Sequence, residues 1–207
     1  MTDTTNEAAK QKLNSLSEQQ IIDDILKNMP SNDEVEVELP SYNRFYSLQD
    51  PAKPITVRPM TFEDERSMMS KKNHNVDVLN GLLAKCVSNI DVSQLLQMDK
   101  LYLIMKLREI SYGDEYRANI SCTACRKDNE VTFSLNQLPV HYIEDSFTDP
   151  LVIDLPILKK KIKVRLPRVS DERYFVNAEQ AIGNLWRFIE EIDGHSEKSV
   201  ISTVLMK

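Results

Sequence analysis

Two cysteines in the middle of the chain have a spacing that could bind a metal ion. Cys122 and Cys125 stand in C-T-A-C, between two segments in which polar and apolar residues alternate. Two thiolates at the tip of a hairpin can both reach one zinc ion, but a closed structural site needs four ligands, and the second cysteine pair of a zinc ribbon is missing. His141 and Cys86 are the candidates for a third ligand. A pair of reduced thiols without metal is the competing interpretation.

No other group of residues in the sequence indicates catalysis. The chain has four glycines in 207 residues, and it lacks the glycine-rich phosphate-binding motifs, the nucleophile elbow and the H-E-x-x-H zinc motif. The three histidines have no neighbours that would form an acid–base set. We therefore expect a protein that is not an enzyme, and zinc is the one cofactor that the residues suggest.

Two arginines have the chemistry to bind a carboxylate. Arg58 and Arg165 each stand at the end of a predicted strand, and a guanidinium can hold a carboxylate through two parallel hydrogen bonds. Two interpretations are open. Either the carboxylate belongs to a protein partner, or each arginine pairs with the acidic residues of the helix that follows it.

Both arginines belong to a phrase that occurs twice. Residues 55–66 read ITVRPMTFEDER and residues 162–173 read IKVRLPRVSDER, with six identities in twelve positions and no gap. In each copy the alternation of apolar residues predicts a short strand that ends at a proline. Thr61 and Ser170 are then predicted to cap the following helix. We interpret the phrase as a duplicated docking element.

The elements that must position these residues predict an α+β fold. Apolar residues at helical spacing predict a layer of helices over about 61–110, and the third helix exposes so few polar positions that we expect it to be central. Alternation predicts a β-hairpin over 115–135 with the Cys-x-x-Cys at its tip, then antiparallel strands over 151–155 and 160–166. A long C-terminal helix is predicted over about 171–192.

The expected domain organisation is an acidic tail over 1–38 and a single α+β body over 39–207, which contains the hairpin in a subregion over 113–140. Residues 1–40 hold nine acidic and three basic residues, which account for the whole net charge of −6. An amphipathic helix in the tail is suited to a groove on a partner, although it could equally fold back onto its own body. Its apolar stripe consists of Ile22, Ile25, Leu26 and Met29.

Charge and hydropathy restrict the class of partner. Residues 158–168 carry six basic residues and no acidic one, so a zinc-ribbon-like module that binds nucleic acid through this strand is the alternative function. A single basic strand and an acidic tail in the same chain fit self-association or a protein partner at least as well. No stretch approaches the roughly 18 apolar residues of a membrane span, and no signal peptide is recognisable. We expect a cytoplasmic protein without a membrane partner.

Several motifs, in this order along the chain, resemble the baseplate proteins of T-even-type bacteriophages. They are L-P-S-x-x-x-x-Y (39–46), I-T-V-R-P-M-T-x-E-D-E (55–65), L-R-E-I-S-Y-G-D-E-Y (107–116), the Cys-x-x-Cys (122–125) and D-L-P…V-R-L-P (154–167). The chain departs from the family pattern at Thr123, where proline is usual, and at Asn43, where glycine is common. Asn tolerates a positive φ better than most residues.

The resemblance implies a structural or assembly protein of the phage tail, made late in infection in the host cytoplasm. It implies other baseplate hub proteins as partners, which the protein would hold during tail morphogenesis, either as a chaperone or as a part of the virion tail baseplate. On this hypothesis the tail helix and the two arginines bind partners, self-association into a homo-oligomer is open, and nucleic acid is not expected to bind.

Overall fold

In the computed structural model of the chain, residues 20, 22–23, 34–70, 76–157 and 159–205 are described. The chain divides into two units, residues 1–33 and 34–207. In the first unit the described residues are helical, and Ile22 is exposed. Ile25, Leu26 and Met29 of the predicted stripe lie outside the described residues, and the division into a tail and a body at residue 38 stays a prediction.

The second unit contains several helices and small antiparallel sheets, so the predicted α+β class is confirmed. The strands are β1 (Val35–Val37), β2 (Ile55–Val57), β3 (Glu115–Ser121), β4 (Asp128–Ser134), β5 (Leu151–Leu155), β6 (Lys160–Val164) and β7 (Ile189–Ile192). The helices are α1 (Phe62–Ser70), α2 (Val76–Cys86), α3 (Gln97–Tyr112), α4 (Ala178–Asn184) and α5 (Lys198–Leu205). Short 3-10 helices span Val92–Gln94, Leu135–Gln137, Val169–Tyr174 and Leu185–Phe188. The sheets pair β1 with β2, β3 with β4, and β5 with β6 and then β7.

Two clusters of buried apolar side chains stabilise the second unit. The larger, which we call the main core, joins β2, α2 and α3, and its members are Leu39, Ile55, Val57, Leu82, Leu83, Cys86, Val87, Ile90, Val92, Leu95, Leu103, Leu107 and Val169. The smaller, which we call the C-terminal core, consists of Ile162, Ile189, Ile192 and Ile201. Burial of such side chains is the largest favourable contribution to folding. The main core is therefore the main source of stability.

Helix α3 was expected to be central because it is apolar on almost every side. One side does enter the main core through Leu103 and Leu107. The other side is open, however, and Leu101 keeps 61% of its surface exposed. The apolar character of this helix therefore reflects a buried face and an uncovered face, rather than burial all round.

The predicted long helix over 171–192 is wrong. Residues of this stretch instead form a 3-10 helix, then α4, whose N-terminus is capped by the Asn177 side chain, a second 3-10 helix, and strand β7. The register of β7 on β6 shifts next to Val164, so that Ile192 faces Ile162 and Ile189 faces Val164. This irregularity lets two isoleucines three positions apart point into the same core. Their spacing imitates the period of a helix.

None of the helices in the described part of the chain is long and apolar enough to cross a membrane.

Candidate functional site

The first copy of the repeated phrase ends in a hydrogen-bonded turn, which we call the first joint (residues 58–64). The guanidinium of Arg58 donates to the Pro59 carbonyl (3.0 Å) and to Oδ2 of Asp64 (2.8 Å). The same Asp64 oxygen accepts the backbone N–H of Thr61 (3.1 Å), and Thr61 Oγ1 accepts the Asp64 N–H (3.3 Å). This exchange is a capping box at the start of α1. The hydrogen bond from Arg58, supported by those from Thr61, lowers the pKa of Asp64 to about 2.

The second copy builds the same structure, which we call the second joint (residues 165–171). Arg165 donates to the Leu166 carbonyl (3.1 Å) and to both carboxylate oxygens of Asp171 (2.7 and 2.8 Å). Asp171 Oδ2 also accepts the N–H of Arg168 (2.8 Å). Burial by itself would raise the pKa of Asp171, but the hydrogen bonds from Arg165 and Arg168 outweigh it, and the pKa is lowered. The capping position is therefore Arg168, and the predicted cap at Ser170 is wrong because Ser170 lies inside the 3-10 helix.

The donors and acceptors occupy the same relative positions in the two joints. In each, the arginine binds the carbonyl one residue later and the aspartate six residues later, and that aspartate binds the N–H three residues after the arginine. Of the two interpretations of Arg58 and Arg165, the structure shows pairing with the acidic residue of the following helix. Direct binding of a partner by these arginines stays a prediction.

The two joints lie at opposite ends of α3. Near its C-terminal end, the Met60 N–H donates to Oγ of Ser111 (2.9 Å), which itself donates to a carbonyl within α3. The Tyr112 hydroxyl also donates to Oε1 of Glu65, in α1, at 2.7 Å. The first joint and the helix that it starts are therefore fixed to the end of α3.

At the N-terminal end of α3, the Gln97 N–H donates to the carbonyl of Pro167 (3.3 Å). Lys100, which is buried, forms an ion pair with Glu172 at 2.6 Å, and Asn80 of α2 donates to the same carboxylate at 2.9 Å. Burial would raise the pKa of Glu172, but the hydrogen bonds from Lys100 and Asn80 outweigh this effect, and the pKa is lowered. Helix α3 thus connects the two copies of the phrase.

A loop with a buried polar centre fixes the start of α3. Asp99 is fully buried and accepts hydrogen bonds from the Ser41 N–H (3.1 Å) and from the Tyr46 hydroxyl. That hydroxyl accepts the Leu96 N–H (2.8 Å), and burial together with Asp99 raises the pKa of Tyr46. This network gives a structural reason for the L-P-S-x-x-x-x-Y motif. Asn43, in the same loop, has φ of 58°.

An apolar groove runs between the open face of α3 and the chain that follows the hairpin. Its volume is 560 Å³. The charged groups on its floor, Lys106 and Glu109, neutralise each other at 2.9 Å. Tyr142 on the far wall stacks on Tyr42 with ring centroids 5.0 Å apart. The apolar side chains that line the groove are Met98, Leu101, Tyr102, Met105, Leu135, Leu138, Val140 and Tyr142.

Sequence reasoning did not predict this groove. Its two walls come from segments that are separate in the sequence, about 98–109 and 135–142. The available signal was a helix with too many apolar positions for one buried face. Exposed apolar surface of this kind commonly marks an interaction site.

Both cysteines of the Cys-x-x-Cys lie in the connection between β3 and β4, which we call the knuckle (residues 122–127). The Cys122 N–H donates to the Lys127 carbonyl (2.9 Å), and the Arg126 N–H donates to the Cys122 carbonyl (2.8 Å). Arg126 has φ of 58°. The backbone N–H groups of Cys125 and Ala124, and then the Cys125 thiol, hydrogen-bond to the Cys122 sulfur and lower the pKa of this thiol. A sulfur held in this way is favoured as a thiolate ligand.

The structure brings neither candidate third ligand to the knuckle. Cys86 lies in the main core, where burial raises the pKa of its thiol, and His141 lines the groove. Across the described residues, no group of three or more His, Cys, Asp or Glu side chains is placed to hold a metal ion. Within one chain the knuckle therefore offers two thiolates.

The basic strand is largely neutralised by neighbouring carboxylates. Lys160 pairs with Asp193, and Lys163 contacts Glu191 of β7 at 2.6 Å. Arg165 is held in the second joint, and Arg168 contacts Asp149 at 3.3 Å. Side chains in ion pairs of this kind contribute little net positive charge for contact with phosphate groups. The alternative function in nucleic-acid binding finds no support here.

One protein family matches most of the chain. The model of the T4 bacteriophage base plate protein family matches residues 32–203, a range that contains both joints, the groove and the knuckle. The chain belongs to this family, and the resemblance inferred from the motifs is confirmed. No curated protein and no solved structure is detectably similar to the chain.

Proposed function

We propose that the protein is a non-catalytic component of the phage tail baseplate that binds other hub subunits through the groove along α3. The observation that carries this proposal is the exposed apolar face of α3, centred on Leu101, on a helix whose opposite face buries Leu103 and Leu107. An exposed leucine beside a groove of 560 Å³ offers a pocket for the apolar side chains of a partner.

The partner that suits this groove is an amphipathic helix of another hub subunit. The floor carries one internal ion pair, Lys106 with Glu109, and therefore has no unbalanced charge that would select a charged ligand. Apolar side chains at helical spacing can fill a groove between a helix and an extended segment. Affinity would then come from one or two buried anchors, as in most protein interfaces.

The N-terminal segment is proposed as a second contact with hub subunits. Its apolar stripe, Ile22, Ile25, Leu26 and Met29, is the kind of face that a partner groove receives. Arg58 and Arg165 act in this proposal indirectly, because each holds the joint that fixes one end of α3. They would hold the groove in its observed shape, and a direct contact of either arginine with a partner stays a separate prediction.

Substitution of Leu101 by aspartate tests the groove. A tagged chain is recovered from infected cells, and the co-purifying baseplate proteins are measured by mass spectrometry. We expect Leu101→Asp to lower the capture of hub subunits at least about tenfold, since a hot-spot residue contributes 2 kcal/mol or more. The matched control is Ile157→Asp, which places the same charge at an apolar residue that is 92% exposed and does not line the groove.

Equal capture by the Leu101→Asp and wild-type chains would refute the groove as the binding site. A second variant deletes residues 1–33, and it stops there because β1 begins at Val35 and pairs with β2. We expect this deletion to lower hub capture while the thermal unfolding of the body is unchanged. If the chain without residues 1–33 still captures every partner and supports hub assembly, the N-terminal segment is not a contact with hub subunits.

Analysis of purified virions separates two versions of the role. A permanent component is found in the tail baseplate at a fixed ratio to other hub proteins, whereas an assembly chaperone is found in the host cytoplasm with hub intermediates and is depleted from the particle. Quantitative mass spectrometry of both fractions measures that ratio. We expect the protein in hub intermediates in either case, and its absence from them would refute hub binding.

A further inference from the structure

The knuckle has half of the ligands that a structural zinc site needs. Zinc in such sites is bound by four ligands in a tetrahedron, with Zn–S distances of about 2.3 Å. One chain supplies Cys122 and Cys125, and within the described residues no third ligand joins them. Two backbone hydrogen bonds hold the turn that presents these cysteines, from the Cys122 N–H to the Lys127 carbonyl (2.9 Å) and from the Arg126 N–H to the Cys122 carbonyl (2.8 Å). The site is built but incomplete.

The hairpin that carries the knuckle has one apolar and one polar face. Directly opposed residues share a face, and β3 pairs Tyr116 with Phe133 and Ala118 with Val131. Ile120, the last apolar residue of this face before the knuckle, is 52% exposed. A two-stranded hairpin is marginally stable unless another element covers its apolar face. The open apolar face therefore continues up to the incomplete zinc site.

We propose that two copies of the chain share one zinc ion, bound by Cys122 and Cys125 of each copy, with the apolar faces of their hairpins toward each other. A second copy is the occupant because it brings two thiolates in the same geometry, and a two-fold axis through the zinc completes the tetrahedron. Four thiolates and one zinc ion carry a net charge of about −2. Arg126 and Lys127 adjoin the cysteines in each copy and offset this charge.

The test uses the untagged full chain, purified with a phosphine reductant and without chelator, and then titrated with zinc chloride. Zinc content is measured by plasma mass spectrometry, and molar mass by light scattering after gel filtration. We expect about one zinc per two chains, a dimer with zinc, and a monomer after chelation. Cobalt in place of zinc should give the intense visible absorption of a tetrahedral thiolate site.

Matched variants separate metal binding from hairpin packing. Cys122→Ser and Cys125→Ser should each abolish zinc-dependent dimerisation, while Cys86→Ala should keep it, because Cys86 lies in the main core. Ile120→Asp should weaken the zinc-bound dimer at least about tenfold. Asn119→Asp, which adds the same charge on the opposite face, should not.

The proposal is overturned by one zinc per monomeric chain, by absence of zinc binding, or by a dimer that survives both chelation and the cysteine substitutions. Circular dichroism spectra of the serine variants must match that of the wild type, which is expected because both cysteines lie at an accessible hairpin tip. Failure of this test leaves the groove proposal unaffected, since the groove experiment measures a different quantity, the amount of hub subunits that co-purify with the Leu101→Asp variant.

Discussion

The two joints make the same hydrogen bonds in different surroundings. The first joint follows β2, whose Ile55 and Val57 belong to the main core of thirteen buried residues. The second follows β6, whose Ile162 belongs to the C-terminal core of four. The arginine–aspartate ion pair, by contrast, has more hydrogen bonds in the second joint than in the first. Arg165 binds Asp171 through two hydrogen bonds, whereas Arg58 binds one oxygen of Asp64.

This difference shows that one local motif can depend on two sources of stability. Around the first joint, apolar burial is extensive, Asp64 also accepts a hydrogen bond from the Thr61 hydroxyl, and Lys85 forms a looser ion pair with it at 3.9 Å. Around the second joint, Val169 reaches the main core but the preceding strand packs in the C-terminal core of four, and Asp171 depends mainly on Arg165. We expect core substitutions to be more damaging near the first joint and arginine substitutions to be more damaging at the second.

The largest effect is expected for core truncation. Leu83 in the main core and Ile201 in the C-terminal core are both fully buried. Leu83→Ala should lower the free energy of unfolding by about 4 kcal/mol, and Ile201→Ala by about 2 kcal/mol, because the small cluster near the surface can relax around the cavity. Urea unfolding followed by circular dichroism measures both. Equal losses of unfolding free energy in the two variants would mean that the two cores are equally well packed, and would contradict the proposed difference between them.

The arginine substitutions should reverse that order. Arg165→Ala should lower the free energy of unfolding by about 3 kcal/mol and Arg58→Ala by about 2 kcal/mol, because removal of one partner leaves a buried carboxylate with fewer donors. Arg165→Lys is the control, since it keeps the charge but loses the planar fork that binds both oxygens of Asp171. A larger loss for Arg58→Ala than for Arg165→Ala would contradict the assignment of roles.

Acid should weaken the first joint over a defined range of pH. The pKa of Asp64 falls from 3.8 to about 2 in the folded state. A lowered pKa stabilises the fold above the unfolded-state value, and that stabilisation is lost as pH falls toward the folded-state value. Between about pH 4 and pH 2 the contribution of on the order of 2 kcal/mol should disappear. Urea unfolding at several pH values measures the slope, which Asp64→Asn should reduce. An unchanged slope in that variant would disprove the role of Asp64.

The smallest effect is expected outside the joints. Lys163 contacts Glu191 at 2.6 Å, but their side chains are 43% and 31% exposed. Lys163→Ala should change the free energy of unfolding by about 0.5 kcal/mol or less, because solvent screens such a pair. Thermal unfolding with and without added salt checks this value. A loss comparable with that of Arg165→Ala would show that the whole basic strand, rather than the second joint, stabilises this region.

Much of the fold could be predicted from the sequence because its signals are local. The strand, proline and cap of the first phrase predict β2 and the start of α1, and the helical spacing of apolar residues over about 61–110 predicts α1 to α3. The prediction of a long C-terminal helix was wrong because Ile189 and Ile192 are spaced as on a helix although they lie in a strand. Only their partners on β6 decide that they pair across an irregular register.

The site could be predicted in part. The acidic partners of Arg58 and Arg165 were among the open alternatives, since they follow six positions later in each phrase. Asp99 was not recognised as a buried residue, because an acidic residue in the first turn of a helix is already explained by the helix dipole. The groove forms because the residues that follow the hairpin, 135–142, lie beside α3. This contact joins distant segments, so no local sequence pattern predicts it.

The sequence by itself determined β2, the cap of α1 and the arginine and aspartate positions of both phrases, because each depends on residues within a short segment. The order of motifs along most of the chain determined the membership of the family. The tertiary structure alone decided that α3 spans both joints, that one of its faces stays open, and that the C-terminal region forms a strand on β6. These outcomes depend on contacts between distant segments, where the energy of packing overrides local preference.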